Sequence, residues 1–415
     1  MKHKSTLVYL ALLLVAVLPL RAQNKTEVDD FANAYAANYD SLLNSYYLKK
    51  YVHNNRHHRT TTVVEFSQVS DSLIAERLRS LHTVIPMNYN KEVRAYIRMY
   101  LNKMEDRLDA MLTLSEYYYP MFEEVLSRYG VPEELKYLTI VESAMNPMAT
   151  SRVGAAGLWQ FMYSTGKNYG MEVNSVVDDR RDPYKSTVAA ARYLRDLHGI
   201  YNDWTLAIAA YNCGPGNVNK AIARSGARDY WGIYNYLPRE TRGYIPAFIA
   251  AVYVMKFYPE HGLHPQKLPA PIHSDTVLVH NDLLMCHISE MTHIPYEELR
   301  TLNPQYRVGL IPGASGNYSL CLPIDKIPLF FELQDSIVRL TTDSLNAKPL
   351  VVEPEQVEPQ SHRGAASASP KYHTVRKGET LSSISRKYNI PVRTLKKKNG
   401  LRSDKIRHGQ RLRIK

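Results

Sequence analysis

The chain has 415 residues, of which 45% are hydrophobic and 22% are charged. This length exceeds what one compact core usually holds, so we expect two or three domains, and the balance of apolar and charged residues excludes a largely disordered chain. The net charge of +12 is concentrated in residues 371–415, which hold 15 Lys and Arg against two Asp and Glu and favour an anionic partner.

The first 23 residues have the layout of a secretory signal peptide. Lys2 and Lys4 precede an apolar run from Leu7 to Leu20, and Ala22 supplies a small residue near a cleavage point. The run is shorter than the ~18 apolar residues of a spanning helix, which favours removal over anchoring. No cysteine follows it to accept a lipid. We therefore expect an exported periplasmic protein, soluble or wall-associated, whose anionic partner is cell-wall polymer or a membrane surface and not nucleic acid.

The three cysteines leave two alternatives open. Cys286 and Cys321 are a candidate disulfide pair, because export permits oxidation, and Cys213 is then left over. Three buried free thiols are an equally good interpretation.

Residues 24–85 are polar and rich in Tyr and Asn, and the sequence assigns them no function. They contain His53, His57 and His58, but no cysteine or carboxylate stands at ligand spacing beside this cluster. A solvated loop is a better interpretation than a metal site. No metal or other cofactor is expected in the chain.

Residues 86–268 have the periodicity of an all-α domain. Apolar residues recur at intervals of three and four, as in Leu135, Leu138 and Val141. Pro132 and Pro183 stand where a proline favours the first turn of a helix. No strand-like alternation of any length interrupts this pattern.

Residues 272–326 and 371–415 repeat each other at a constant offset of 96 residues. The matching pairs are Ile288 and Ile384, Ser289 and Ser385, Ile294 and Ile390, Pro295 and Pro391, Leu299 and Leu395, and Asn303 and Asn399. Each copy opens and closes with a β-like run and has room for two short helices between, which predicts a small α+β unit of βααβ order, present twice. We assign the intervening residues 327–370 to a linker, rich in Glu, Pro, Gln, Ser and Ala from residue 342 onward.

Three clusters in the helical domain carry the chemistry. They are Glu142-Ser143, Gly157-Leu158-Trp159-Gln160 and Ala210-Tyr211-Asn212. Burial among apolar neighbours raises the pKa of a carboxylic acid, so Glu142 is a candidate general acid near neutral pH. Asp178, Asp179 and Asp182 are the other acids nearby. They precede a helix that Asp182 is placed to cap, and helix capping is the better interpretation.

These clusters resemble, in order and spacing, the motifs of the family 1 lytic transglycosylases, which share the goose-type lysozyme fold. A fourth family motif appears from Glu240 to Pro246, and the paired C-terminal segments look like LysM, a peptidoglycan-binding module. The layout is similar to the membrane-bound lytic transglycosylase D type. The resemblance covers about residues 90–325 and 371–415. It implies a multidomain protein, with an all-α goose-lysozyme-like catalytic domain followed by small α+β LysM-type modules.

The resemblance implies cleavage of peptidoglycan between MurNAc and GlcNAc. Glu142 would protonate the leaving oxygen and then deprotonate the C6 hydroxyl of the same MurNAc, which attacks C1 and yields a 1,6-anhydro end. The resemblance also implies that a set of polar residues binds the sugar or orients Glu142. They are Ser143, Gln160, Tyr211, Asn212 and Tyr244. Trp159 is expected in the core rather than stacked on sugar.

Two other functions stay open at this point. A goose-type lysozyme is a hydrolase on the same fold, and it would need a second carboxylate to activate water. A non-catalytic wall-binding scaffold would use the same groove and LysM modules without cleaving the strand.

The two LysM-like copies are unequal. The second keeps Gly378-Glu379-Thr380-Leu381, and the resemblance places Gly378, Thr380 and Leu381 beside the glycan. The first copy has Asn281-Asp282-Leu283-Leu284 near that point. We interpret it as a degenerate module packed against the catalytic domain.

Overall fold

The computed structural model describes Phe66 and residues 69–103, 105–263 and 273–347, followed by 372–375, 378–388, 390, 392–401 and 403–414. The chain divides into two compact units, residues 1–355 and 356–415. The expected signal peptide, the three histidines at 53–58 and the second half of the linker lie outside the described residues. Across the described ranges, no helix is long and apolar enough to cross a membrane.

Helices dominate the first unit up to residue 257. They are α1 Asp71–Ser80, α2 Lys91–Lys103, α3 Glu105–Arg128, α4 Leu138–Ser143, α5 Tyr163–Asn168, α6 Pro183–Tyr201, α7 Trp204–Cys213, α8 Pro215–Ser225, α9 Tyr230–Ile233, α10 Arg239–Arg242 and α11 Tyr244–Phe257. This confirms the all-α character of the catalytic region.

The central helix of this region is α11. Its residues from Tyr244 to Met255 are all buried, as expected for a helix that is apolar on every side and surrounded by others. It packs against α2, α4 and α7. Because α4 carries Glu142 and α7 carries Tyr211, the core brings the first and third motifs to the same helix.

Helix α1 belongs to this core, although the sequence placed the domain boundary at residue 86. Ile74 and Leu78 are buried in the main hydrophobic cluster, and Arg77 donates a 2.9 Å hydrogen bond to the hydroxyl of Tyr253 in α11. Ser70 caps the helix by accepting a hydrogen bond from the backbone N–H of Leu73. The helical domain therefore starts before residue 71.

A strand-containing module follows the helical domain. Its elements are β1 Ser274–Val279, β2 Asp282–Leu284, α12 Met285–Thr292, α13 Tyr296–Leu302, β3 Leu310–Pro312 and β4 Tyr318–Pro323. Strand β1 pairs antiparallel with β4, and β2 pairs antiparallel with β3. Cys213, Cys286 and Cys321 are free thiols, and Cys286 is exposed. The candidate pairing of Cys286 with Cys321 is not formed.

Residues 327–347 form a further helix, α14 Ile327–Ala347, whereas the sequence assigned them to the linker. Phe330 and Ile337 are buried in the core of the module, and the hydroxyl of Thr341 accepts a 3.2 Å hydrogen bond from the N–H of Leu284. The polar composition of residues 342–370 favours a linker, and this assignment wrongly included the apolar stripe of α14 that precedes them. This helix covers the module and is not a linker.

Backbone hydrogen bonds join this first module to the helical domain. The N–H of Asp178 donates to the carbonyl of Gln305 at 2.9 Å, and the N–H of Arg307 donates to the carbonyl of Val176 at 2.8 Å. The side chain of Val177 is buried in the core of the module. This is the packing that the sequence predicts for the degenerate copy.

The second unit has the predicted βααβ order. Strand β5 Tyr372–Thr374 pairs antiparallel with β6 Arg411–Arg413, and α15 Leu381–Tyr388 and α16 Val392–Asn399 lie between them in the chain. A separate small cluster that includes Ile384 forms its core.

Equivalent hydrogen bonds confirm the 96-residue repeat. The hydroxyls of Ser289 and Ser385 each donate to the carbonyl of the residue five positions later, at 2.6 Å in both copies. Asn303 and Asn399 each join the second helix to the last strand through donated and accepted side-chain bonds. The same framework therefore folds twice.

Candidate active site

Glu142 lies in the last turn of α4, where its side chain is half-buried. The helix ends in two successive residues with positive φ, Ala144 at 52° and Met145 at 58°. Left-handed conformations of non-glycine residues cost of order 1–3 kcal/mol each and persist where the surrounding structure holds them. Here the N–H of Met145 is held by the carbonyl of Thr139 at 3.0 Å. The carboxylate thus stands at the end of a firmly terminated helix.

Burial raises the pKa of Glu142 from 4.5 to about 7. The hydroxyl of Tyr244 donates a hydrogen bond to Oε1 of Glu142. This bond favours the ionised form and lowers the pKa, whereas the negative charge of Glu240 raises it. A carboxyl group with a pKa near 7 is able both to give and to take a proton at neutral pH.

The third motif lies against the second and close to Glu142. The hydroxyl of Tyr211 donates a 2.7 Å hydrogen bond to the carbonyl of Trp159. Burial and the charge of Glu142 hold the pKa of Tyr211 well above its usual range. The side-chain carbonyl of Asn212 accepts a 2.9 Å hydrogen bond from the hydroxyl of Thr241. Tyr211 and Asn212 thus connect the third motif to the second and fourth motifs, and the charge of Glu142 acts on Tyr211.

The second motif forms a tight loop. Gln160 has a positive φ of 48°, and its side-chain amide donates a 2.9 Å hydrogen bond to the carbonyl of Gly157. Gly157 itself has a φ of 84°, and a Cβ there would overlap the carbonyl of Arg180, whose carbon would lie 2.6 Å away. Only glycine fits between these two backbone segments.

The structure corrects the prediction for Ser143. Its side chain is fully buried, and its hydroxyl donates hydrogen bonds to the carbonyls of Leu158 at 2.9 Å and Thr139 at 3.1 Å. Sugar cannot reach this position, so the prediction of substrate contact is wrong. Ser143 ties α4 to the second motif and thereby positions the neighbouring Glu142.

Trp159 is a core residue, as expected. It is fully buried, packs edge-on against Phe122 at 5.6 Å between ring centroids, and donates its indole N–H to the hydroxyl of Thr187 at 2.9 Å. The satisfied N–H and the complete burial leave it no face for a sugar ring.

Asp182 caps a helix, as the sequence predicts. It accepts a 2.8 Å hydrogen bond from the N–H of Lys185 at the start of α6. Asp178 instead forms a buried pair with Arg180, with N–O distances of 2.8 and 2.9 Å, and Asp179 pairs with the ammonium of Lys185 at 2.9 Å. These charges serve the loop structure.

The sequence did not reveal that the charge of Glu240 raises the pKa of Glu142. This residue is exposed and belongs to α10, directly before α11, and its negative charge acts on Glu142. The signal was present, since Glu240 opens the same motif that contains Tyr244. The motif alone does not indicate that this charge lies near the site.

In the C-terminal unit, two of the three predicted glycan-contacting residues are exposed. Gly378 has a φ of 85° with open space around it, and the hydroxyl of Thr380 accepts from the N–H of Ser383 at 3.2 Å. Leu381 is 2% exposed and lies in the module core. Its side chain therefore faces the core, and the glycan contact of Gly378, Thr380 and Leu381 stays a prediction.

The charges around Glu142 predict opposite shifts for two variants. If protonated Glu142 starts cleavage, kcat/KM falls as pH rises through about 7. Tyr244→Phe removes a bond that lowers the pKa, so the alkaline limb moves to higher pH. Glu240→Gln removes a charge that raises the pKa, so the limb moves to lower pH. Profiles of kcat/KM against pH measure both, and shifts in the same direction would contradict the assignment.

Three models of known protein families match parts of the chain. Residues 120–234 match the transglycosylase SLT domain, residues 273–339 the LysM-like domain of lytic transglycosylase MltD, and residues 373–415 the LysM domain. Among solved structures, the 70 kDa soluble lytic transglycosylase of Escherichia coli is similar at 18% identity with a TM-score of 0.35, covering 61% of this chain and 49% of that chain. This chain thus spans about half the length of that structure.

Two curated relatives extend the comparison. The soluble lytic murein transglycosylase of Escherichia coli (strain K12) is 30% identical over 156 residues, which are 36% of this chain and 24% of the relative. The membrane-bound lytic murein transglycosylase D of the same strain is 32% identical over 333 residues, which are 78% of this chain and 69% of the relative. With such identity over more than two-thirds of both chains, this chain belongs to the lytic murein transglycosylase family.

Proposed function

We propose that this enzyme cleaves the β-1,4 bond between MurNAc and GlcNAc in peptidoglycan and leaves 1,6-anhydroMurNAc ends. The observation that carries the proposal is Glu142, a half-buried carboxylate with a pKa of about 7 that is held by Tyr244. Asp178, Asp179 and Asp182 are engaged in pairs or caps. One group near neutrality is sufficient when the same group serves as acid and then as base.

The proposed reaction has two proton transfers. Because Tyr244 donates to Oε1, the proton of the neutral acid resides on Oε2, which delivers it to the glycosidic oxygen as the bond to C1 breaks. The resulting carboxylate then takes the proton of the C6 hydroxyl while that oxygen bonds to C1. Glu142 ends protonated, and no water is consumed.

Tyr211, Asn212 and Gln160 are proposed to hold the sugar near Glu142. Their support is the network that joins them: Tyr211 bonds to the carbonyl next to Gln160, and Asn212 bonds to Thr241 of the fourth motif. All three are half-buried, so each side chain combines a fixed anchor with a face that is open to solvent.

Hydrolysis is the second candidate, because Glu240 supplies a carboxylate whose charge reaches Glu142. Digestion of purified sacculi in isotope-labelled water, followed by mass spectrometry, separates the two. We expect anhydro ends without label, both from the native enzyme and from Glu240→Gln. Labelled reducing ends that disappear in Glu240→Gln would instead establish a lysozyme-like hydrolase.

We further propose that the C-terminal unit holds the enzyme on the glycan. Gly378 and Thr380 are exposed, and residues 371–415 account for the net positive charge of the chain. Deletion of residues 371–415 is expected to lower the fraction of protein that sediments with sacculi at low salt. Added salt should lower binding of the full chain as well, since screening weakens the attraction of a basic surface. Unchanged sedimentation of the shortened chain would refute this role.

We also propose export to the periplasm, directed by residues 1–23. The support is the basic start and the short apolar run of that segment. Mass spectrometry of the protein recovered from the envelope is expected to find a mature chain that starts close to residue 23.

A further inference from the structure

A cavity of about 200 Å³ lies where the helical domain meets the first LysM-like module. Three arginines line it, Arg181 from the helical domain and Arg300 and Arg307 from the module. The remaining lining residues are Met148, Asn303, Pro304 and Tyr306. Among these lining residues, all described, there is no carboxylate, so the cavity concentrates positive charge.

Neutral acceptors fix the walls of this cavity. A guanidinium nitrogen of Arg181 donates to the hydroxyl of Thr150 at 3.0 Å, and one of Arg307 donates to the carbonyl of Asn174 at 2.9 Å. The hydroxyl of Tyr306 donates to the carbonyl of Ser319 at 2.6 Å. These hydrogen bonds hold the side chains of Arg181, Arg307 and Tyr306 in place.

Arg181 is only partly compensated. Its Nε is buried and makes no hydrogen bond to any residue that the structure describes. The nearest carboxylate is that of Asp178, 3.6 Å from this nitrogen, and Asp178 already bonds to Arg180. Burial lowers the pKa of Arg181, the charge of Asp178 raises it, and the charges of Arg307, Arg180 and Arg300 lower it further. An anion in the cavity would accept a hydrogen bond from Nε of Arg181 and would offset its buried positive charge.

The cavity is close to the catalytic carboxylate along the chain. Met148 follows Glu142 by six residues, which limits the separation of their backbones to about 22 Å, and the two left-handed residues after Glu142 fold this segment back. The next residue, Ala149, accepts hydrogen bonds from the N–H of Gly157 at 3.0 Å and from the side chain of Gln160 at 3.4 Å. One loop therefore borders both the motif region and the cavity.

We propose that this cavity is a subsite for a carboxylate of the peptide stem carried by the MurNAc unit at Glu142. The inference rests on the proposed function, since it needs a muramyl residue at that position. An extended stem of four or five residues reaches about 14–18 Å, comparable to the limit of about 22 Å on the separation between the backbones of Glu142 and Met148. Guanidinium groups bind carboxylates through two parallel hydrogen bonds, which makes arginine the suited residue for this contact.

The test compares peptide-bearing glycan strands with strands from which an amidase has removed the stems. The full-length enzyme is expected to have a higher kcat/KM on peptide-bearing strands. Arg300→Gln should reduce the ratio of the two kcat/KM values about tenfold, the size of a lost charge-assisted hydrogen bond. Arg300→Lys should recover only part of it, because an ammonium lacks the planar fork.

Arg339→Gln is the matched control, since Arg339 is exposed on α14 of the same module and outside the cavity. It should leave the ratio unchanged. A second measurement on the unaltered enzyme uses free stem tetrapeptide as a competitor. Inhibition should weaken at least tenfold when the carboxylates of the peptide are amidated. Because this measurement uses the unaltered enzyme, its result does not depend on whether the variants fold.

Equal kcat/KM on the two kinds of strand, or equal inhibition by free and amidated peptide, would overturn the subsite. If the enzyme still yields anhydro ends from peptide-free strands, the proposed function survives that outcome. If no anhydro ends form from either substrate, the proposed function itself fails.

Discussion

Glu142→Gln is expected to lower the rate of glycan cleavage by about a thousandfold or more. The amide keeps the shape of the side chain but neither gives nor takes a proton, and each lost acid–base step is worth about 10²–10⁴-fold. Reducing-end and anhydro-end analysis of sacculi over time measures the rate. Sedimentation with sacculi should be retained, because the LysM unit is untouched. A loss below tenfold would remove Glu142 from the mechanism.

The stability of Glu142→Gln shows whether the variant folds. The pKa of Glu142 is about 7 in the folded chain against 4.5 as the ordinary value, so the folded state binds the proton more tightly between these pH values. Stability therefore falls as pH rises from about 4.5 to 7, and the cost persists above 7. We expect Glu142→Gln to gain stability relative to the native chain over this window, by up to about 3 kcal/mol. Melting temperatures at pH 4 and pH 8 measure the difference.

Gly157→Ala is expected to have the second large effect, through structure and not through proton transfer. A Cβ at this position would overlap the carbonyl group of Arg180, and Arg180 is held by Asp178 and by the carbonyl of Phe161 at 3.2 Å. Neither backbone segment can shift without disturbing these contacts. We therefore expect the substitution to lower the free energy of unfolding by about 3 kcal/mol or more. Cleavage should fall with it, because this loop anchors Gln160.

Gly154→Ala separates the overlap from the cost of the backbone conformation. Gly154 has a φ of 81°, close to the 84° of Gly157, but a Cβ there would meet no atom within 4 Å. Its loss should be limited to about 1 kcal/mol, the penalty of a left-handed alanine. Urea unfolding of the two variants measures both values. Equal losses would show that close packing at Gly157 does not matter.

Local motifs predicted much of the site. Glu142, Tyr211, Asn212 and Tyr244 come together because α4 and α7 both pack on α11, which starts with Tyr244. A helix that is apolar on all sides indicates burial from the sequence alone. The 96-residue repeat predicted both LysM-like modules for a similar reason, since a repeated pattern of buried and bonding residues specifies one local framework twice.

Other features depend on contacts that no local pattern contains. Ser143 and Leu381 belong to the predicted functional motifs, yet their side chains point into the core. Membership of a motif does not show whether a side chain faces the core or the substrate. Helices α1 and α14 were missed because their burial depends on partners far along the chain, such as Tyr253 and Leu284. The arginine cavity joins residues more than a hundred positions apart, a proximity that only the docked module creates.

That docking has a thermodynamic consequence. The hydrogen bonds between residues 176–178 and 305–307, with Val177 buried in the module, make the folding of the module and the helical domain mutually dependent. Asp178 donates its N–H to Gln305 while its carboxylate holds Arg180, against which Gly157 packs. Local unfolding of the degenerate module would thus release the loop that holds the second motif. The first LysM-like module therefore supports, through these contacts, the loop that carries the second motif.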